Sequence, residues 1–312
     1  GLREMSVVLE ELGRVAAPEP LSPVAVLAAR LIALSDQPVL QARLLQGLAD
    51  GTLLPAVAWQ GSSRLATSSE CRTFARWDRE GWRLQGTKFF VRPGEHWHGL
   101  IVSASTDTGC ALFWVPRESE GLSVTVKTLA DGSTCADVQL VGVLVTKAQL
   151  LASPSVASSA LAQALDVARL GASAELLGVI RGALDLSLAY LRTREQFGAA
   201  IGSFQALRHR AVELFLQQEL VSASLEEACR QVDAGVCGTA LAALAARVNA
   251  RASSAALQVT KDAVQFHGAM GYTHECDVSL YLKRALTLAA WLGSASELLA
   301  RQSCTLATEH GN

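Results

Sequence analysis

Over residues 1–54 the apolar positions recur at helical spacing. Met5, Val8, Leu9 and Leu12 share one face, and Gly13 is placed to close that helix. Pro18, Pro20 and Pro23 break the pattern. Helical runs resume over 24–34 and 39–48, with Asp36 placed as a cap before the second. From Leu54 to about Leu150 the period changes. Short runs with β-branched and aromatic residues, over 81–85, 88–91, 100–103, 111–115, 121–126 and 135–140, are separated by turn residues. This pattern predicts an antiparallel sheet domain or small barrel, and a parallel sheet anywhere would contradict it. From about Val156 helical periodicity returns in four long stretches, 160–191, 204–232, 239–266 and 278–301. Gly198 and Gly202, Gly235 and Gly238, and Gly268 and Gly271 punctuate the junctions. The chain therefore reads as α+β in three parts: a helical part over 1–54, a β domain over 55–150 and a four-helix bundle over 151–312.

Composition narrows the function classes. Half of the 312 residues are apolar, so the chain can bury a sizeable core. A formal net charge of -2 offers no electrostatic footprint for nucleic acid or for an anionic membrane surface. No run of ~18 apolar residues is present to span a bilayer; the apolar run 240–246 is followed by Arg247, Asn249 and Arg251. The first residues lack a signal-peptide layout. The seven cysteines, Cys71, Cys110, Cys135, Cys229, Cys237, Cys276 and Cys304, show no C-x-x-C spacing. They read as reduced thiols of a cytoplasmic protein. His96 and His98 flank Trp97 and read as a surface pair near a turn. No metal site is expected.

Two segments carry chemistry. One is Tyr190-Leu-Arg-Thr-Arg194-Glu-Gln-Phe197-Gly198-Ala-Ala-Ile-Gly202-Ser-Phe204-Gln205. The other is Gln265-Phe266-His267-Gly268-Ala269-Met270-Gly271-Tyr272-Thr273. They resemble, in the same order, the Y-x-x-x-R-x-Q-F-G-x-x-I-x-x-F-Q and Q-x-x-G-G-x-G-Y-T segments of the acyl-CoA dehydrogenases. Trp82-Arg-Leu-Gln-Gly86-Thr-Lys88 resembles that family's y-x-L-x-G-x-K strand pair. The resemblance covers nearly the whole chain, with a truncated N-terminal helical part. It implies FAD as cofactor. Arg194 would pair with the diphosphate through charge-assisted hydrogen bonds. Phe197 would lie against the adenine, and Gln205 would meet the ligand near a helix start. Gln265, Gly268 and Ala269 would line the site, the glycines Gly268 and Gly271 admitting a close approach of backbone to cofactor. In the family this half serves the flavin of a neighbouring subunit. Taken singly, Gly268 could equally be a helix C-cap and Arg194 a solvated helix-end charge.

Three departures set the sequence apart from a working family member. The T-x-P-x-x-G-S-D-like loop that contacts the flavin ring and helps hold the acyl-CoA corresponds to Ala58-Trp59-Gln60-Gly61-Ser62-Ser63-Arg64, with no Pro and no Gly-Ser-Asp. The I-T-N after the G-x-K strand is replaced by Val91-Arg92-Pro93. The catalytic glutamate is missing from both positions the family uses. Leu292 stands where one occurs, and Ala168, before Arg169, stands where the other occurs. Dehydrogenation removes a proton alpha to the thioester carbonyl, which requires a positioned base. Glu175 and Glu297 are the fallback candidates, although a surface or helix-capping role is the simpler reading of each.

Retention of the half that serves a neighbour, with erosion of the other half, resembles the non-catalytic subunit of heteromeric steroid side-chain acyl-CoA dehydrogenases. That likeness implies an acyl-CoA substrate, a catalytic sister subunit in a heterotetramer and an electron-transferring flavoprotein as acceptor. Two other readings stand beside it: a self-sufficient dehydrogenase with a relocated base, and a non-redox binding or scaffold homologue.

Overall fold

In a computed structural model the structure describes residues 1–64, 71–273 and 275–300. The chain divides into two compact units, one of residues 1–19 with 169–312 and the other of residues 20–168. The three segments read from the sequence are thus distributed over two bodies.

Helix α1 spans Leu2–Arg14. A π-helical turn, Ser22–Ala28, runs into α2, Ala29–Ala33, where the sequence predicted one uniform helix. Helix α3 spans Pro38–Ala49. Asp36 does not cap α3: its carboxylate accepts the Ser153 backbone N–H at 2.9 Å and the Ser153 hydroxyl. Gln41 Nε2 donates to the carbonyls of Ile32, Ala33 and Ser35 at 3.0–3.1 Å, closing the end of α2.

The sheet of the unit 20–168 contains β1 (Pro55–Ala58), β2 (Phe74–Asp78), β3 (Gly81–Val91), β4 (Gly99–Thr106), β5 (Gly109–Pro116), β6 (Leu122–Thr128), β7 (Thr134–Val145) and β8 (Leu150–Ala152). The strand order is β6-β7-β3-β2-β4-β5-β8, with β1 paired to β4. Most pairings are antiparallel, but β1 runs parallel to β4 over Pro55↔Gly99 to Ala58↔Val102, and β2 meets β4 in parallel at Phe74↔Ser105. The α+β class stands; the expectation of a wholly antiparallel sheet is corrected. The physical reason is connectivity. The path from β1 to β4 passes through β2 and β3 and so has the length a parallel return needs, which short apolar runs do not reveal. The runs 81–85 and 88–91 are one strand, not a pair, because Gly86 continues β3 at φ 150°, with Thr73 where a side chain would stand. Leu84, Leu100, Phe113, Val138 and Val143 pack at the centre of this unit's core.

Helix α4, Ala157–Thr193, is continuous across the division. A tight hairpin of β9 (Glu195–Gln196) and β10 (Ala199–Ala200) follows it. Helix α5 spans Gln205–Asp233, α6 Gly238–His267 and α7 Val278–Trp291. The predicted stretch 278–301 is therefore interrupted. Gly293 takes φ 108° and the helix restarts over 295–300. Ser294 and Glu297 form the reciprocal cap of that restart, with Glu297 N–H on Ser294 Oγ at 3.3 Å and Ser294 N–H on Glu297 Oε2 at 2.8 Å.

In the unit that combines the first 19 residues with residues 169–312, α1 lies directly on α4. A Cβ on Gly13 would collide with the Glu175 carbonyl, one on Gly178 with the Glu10 carbonyl, and one on Gly182 with the Arg14 carbonyl. Gly13 thus does not close α1, which runs on to Arg14; its missing side chain lets two helix backbones touch. Ion pairs flank the seam: Arg14–Asp185 at 2.8 Å and Arg181–Glu10. Asp233, at the end of α5, accepts the first free N–H groups of α1 from Leu2 at 2.7 Å and Arg3 at 3.1 Å.

Candidate active site

Two regions hold the residues singled out by the sequence. The first holds Ala168 and Leu292, which the sequence reading set against the family's glutamates. Ala168 and Leu292 are both buried. Arg169, the residue after Ala168, donates from Nε to the Leu292 carbonyl at 3.2 Å, across 123 positions of sequence. The start of this unit's share of α4 and the end of α7 therefore meet here. Asn249 of α6 fixes the same spot, donating from Nδ2 to the Arg169 carbonyl at 3.1 Å and to Ser173 Oγ at 3.2 Å.

Neither fallback carboxylate is poised to replace the base. Glu175 is buried in an ion pair with Arg284 of α7, Oε2 to Nη2 2.5 Å. A buried carboxylate held this way is committed to its guanidinium partner. Glu297 accepts the Ser294 hydroxyl at 2.9 Å and the Ser294 N–H, so it is committed to the helix cap. Asp166, a buried carboxylate the sequence reading passed over, lies two positions before Ala168. Two helical steps turn it roughly 200° away from the Ala168 direction.

The second region is the end of the bundle where α4 and α6 finish and α5 begins. Here the ring of Tyr190 stacks on that of His267, centroids 4.4 Å apart, and joins the two motif segments. His267 is fixed by Nδ1 against the Ala263 carbonyl at 2.8 Å. Arg210 pairs with Asp262, tying the start of α5 to the last turns of α6. Arg194, Phe197, Gln205, Gln265, Gly268 and Ala269 are all exposed at this end. They share one end of the bundle without bonding to one another. Arg194 follows the last residue of α4, its N–H on the Tyr190 carbonyl at 2.9 Å and its carbonyl accepting Ile201 N–H at 2.8 Å. Gln205 is the first residue of α5. Phe197, at the tip of the hairpin, holds φ 54° with 94% of its surface exposed, its ring edge-on to Phe204. Gly268 caps α6 at φ 61°, ψ -135°, a conformation open only to glycine, with empty space where a Cβ would be. Gly271 lies so close to the Val264 carbonyl that a Cβ would stand 2.6 Å from it.

The family model described as acyl-CoA dehydrogenase, C-terminal domain, matches residues 158–302. A solved variant of the Tcur3481–Tcur3483 steroid acyl-CoA dehydrogenase is 31% identical, with TM-score 0.88, over all of this chain and 82% of that one. This chain belongs to the acyl-CoA dehydrogenase family. Its similarity extends to the ChsE4–ChsE5 complex of Mycobacterium tuberculosis, at 28% identity and TM-score 0.88 over 98% of this chain and 81% of that one. It is also similar to the Mycobacterium bovis protein named probable acyl-CoA dehydrogenase fadE25, 27% identical over 89% of this chain and 74% of that relative. Membership places the chain in a class of flavoprotein oxidoreductases.

The loop at the end of β1 is tied to β3 and β4 by hydrogen bonds. Trp59 and Gln60 are buried. The Trp59 carbonyl accepts Lys88 Nζ at 3.4 Å and Ser103 Oγ at 3.3 Å, and the Gln60 carbonyl accepts Phe89 N–H at 2.9 Å. Gln60 Nε2 turns back on the Ser62 carbonyl at 2.8 Å. His98 is used locally, its Nδ1 accepting Leu54 N–H at 3.0 Å, and His96 stays exposed. Among the described residues no group of three or more His, Cys, Asp or Glu side chains could hold a metal, and no helix is long and apolar enough to cross a membrane.

Proposed function

We propose that this chain is the non-catalytic subunit of a heteromeric acyl-CoA dehydrogenase, completing the flavin site of a catalytic sister chain. One observation carries the reading. The hydrogen bond from Arg169 to the Leu292 carbonyl brings together the two segments that the resemblance sets against the family's glutamates, and this supports the reading that a leucine stands in place of the base. A hydrocarbon cannot accept the alpha proton, whatever the quality of the surrounding packing.

The bundle end fits an FAD molecule shared with a neighbour. Phe197 offers an exposed ring at a strained tip, Gly268 leaves its backbone open, and Arg194 stands free on the surface at a helix end. Arg194 would pair with the diphosphate, Phe197 would cover the adenine, and Gln205, Gln265, Gly268 and Ala269 would supply polar and backbone contacts. Bound FAD supplies the hydride acceptor. The proton is taken by the sister's carboxylate, and this chain's task is to bind, orient and exclude water.

The partner surface is supported by α5. Val212, Phe215, Leu216 and Leu220 are exposed at helical spacing and form one apolar stripe. A homologous bundle presenting a like stripe is the occupant that suits it. The likeness to solved steroid acyl-CoA dehydrogenases favours a bulky steroid side-chain CoA thioester as substrate and an electron-transferring flavoprotein as acceptor. The test is turnover with a dye acceptor. The single chain supplied with FAD should be inactive, and co-expression with a sister carrying the glutamate should give a yellow, active complex. Enzyme-like rates from the single chain would overturn the proposal in favour of a relocated base; absence of flavin under both conditions would overturn it in favour of a non-redox homologue.

A further inference from the structure

In the unit spanning residues 20–168, Lys88 of β3 is fully buried. Its Nζ donates to Ser103 Oγ on β4 at 2.9 Å and to the Trp59 carbonyl at 3.4 Å, and lies 3.9 Å from Cys71 Sγ. Among the described residues no carboxylate pairs with it. An ammonium buried without a counter-charge is costly, and the thiol beside it is the group able to supply one. Cys71 Sγ also lies 3.5 Å from the carbonyls of Thr73 and Ser103, to either of which the protonated thiol can donate. Both Cys71 and Cys110 are half-buried, within reach of a small oxidant. A hydrogen bond with Cys110 holds the Cys71 thiol well below its ordinary value against the opposing effect of burial, and the Lys88 charge adds to this. That same hydrogen bond, burial and the Cys71 charge push Cys110 up, so Cys71 is the thiol that ionises. Burial drives Lys88 down, opposed by the thiolate.

We propose that Cys71 is a site of peroxide oxidation and that Lys88 captures its sulfenic acid in a covalent sulfur–nitrogen crosslink. The Cys71 thiolate attacks a peroxide oxygen, the O–O bond breaks, and hydroxide leaves to take the Lys88 proton as water. Sulfur is oxidised by two electrons and the peroxide is reduced. With the thiolate gone, the charge that most favoured the ammonium is lost, and burial pushes Lys88 toward the neutral amine. Its lone pair attacks the sulfur, the S–O bond breaks, and the oxygen leaves with an amine proton as a second water. In sum, one thiol, one amine and one hydrogen peroxide give one S–N bond and two waters.

Cys110 is the competing nucleophile, and the sheet disfavours it. Cys110 sits on β5 opposite Ser105, while Thr73 meets the other edge of β4 through the Ser105 N–H. Thr73, two residues after Cys71, and Cys110 thus flank β4, roughly 9–10 Å apart at the usual strand spacing. A disulfide spans at most about 7 Å between Cα atoms. The long, unbranched Lys88 side chain already reaches the sulfur. Crosslinking would also remove the amine from the Trp59 carbonyl, releasing one of the bonds that hold the β1 loop.

Peptide mapping after exposure of the folded protein to hydrogen peroxide tests this. The expected product is two hydrogens lighter than the starting chain, carries a Cys71–Lys88 crosslinked peptide with no tryptic cleavage at Lys88, and reverts with excess thiol. In Lys88→Arg, labelling of Cys71 by a 1,3-dione sulfenic-acid probe should rise several-fold. The unsubstituted protein's map decides the matter even if that variant fails to fold. A Cys71–Cys110 disulfide, a Cys71 sulfinic acid with Lys88 still cleaved, or an unmodified Cys71 would each overturn the proposal.

Discussion

Phe197 combines φ 54° with a ring that is 94% exposed. An L-residue held in this region costs about 1–2 kcal/mol, and no burial within the chain offsets it. Phe197→Gly should therefore leave the melting temperature of the free chain unchanged or slightly raised, while flavin retained by the complex falls; a lowered melting temperature with normal flavin would assign the ring a structural role. Arg194→Ala should likewise reduce flavin absorbance of the complex without altering the fold, since it removes only an exposed cation. The opposite pattern belongs to Arg284. Arg284→Ala removes the cation paired with the buried Glu175 carboxylate and should destabilise the chain by about 3–5 kcal/mol in a denaturant titration. The motif residues were legible because their spacing is local. The Glu175–Arg284 pair, 109 positions apart, and the Tyr190–His267 stack were not, because nothing in either segment marks its distant partner.

At the scale of elements, periodicity found the helices and missed their interruptions. It ran 278–301 together because Leu292 keeps the apolar spacing while Gly293 turns the backbone. The S-x-x-E signature of Ser294 and Glu297 was available to mark the restart. Ser294→Ala should cost about 1 kcal/mol of stability, and Glu297→Gln should leave the turnover of the heteromeric complex intact. A large loss of turnover in the latter would make Glu297 the base. In the sheet, alternation located most strands, yet the parallel approach of β1 to β4 depends on chain routing that no single run encodes.

For the whole molecule, the exposed stripe on α5 is the surface that assembly should cover. Phe215→Glu places a charge at its centre and should abolish co-purification with the sister chain, while circular dichroism of the single chain stays unchanged. Unaltered co-purification would move the interface elsewhere. The stripe's spacing was present in the sequence, but an amphipathic helix pattern does not say whether its apolar face meets its own core or another subunit.

The seam formed by Gly13, Gly178 and Gly182 carries a consequence for biosynthesis. Helix α1 leaves the ribosome well before the turns of α4 that it fits, because about 165 residues separate Gly13 from Gly178, a delay on the order of ten seconds at ordinary elongation rates. Asp233, which accepts its first N–H groups, comes later still. A nascent chain therefore carries α1 without this seam while the whole β segment is translated, so slowing translation after Val145 should lengthen the period in which the glycine face of α1 is open to chaperones and proteases.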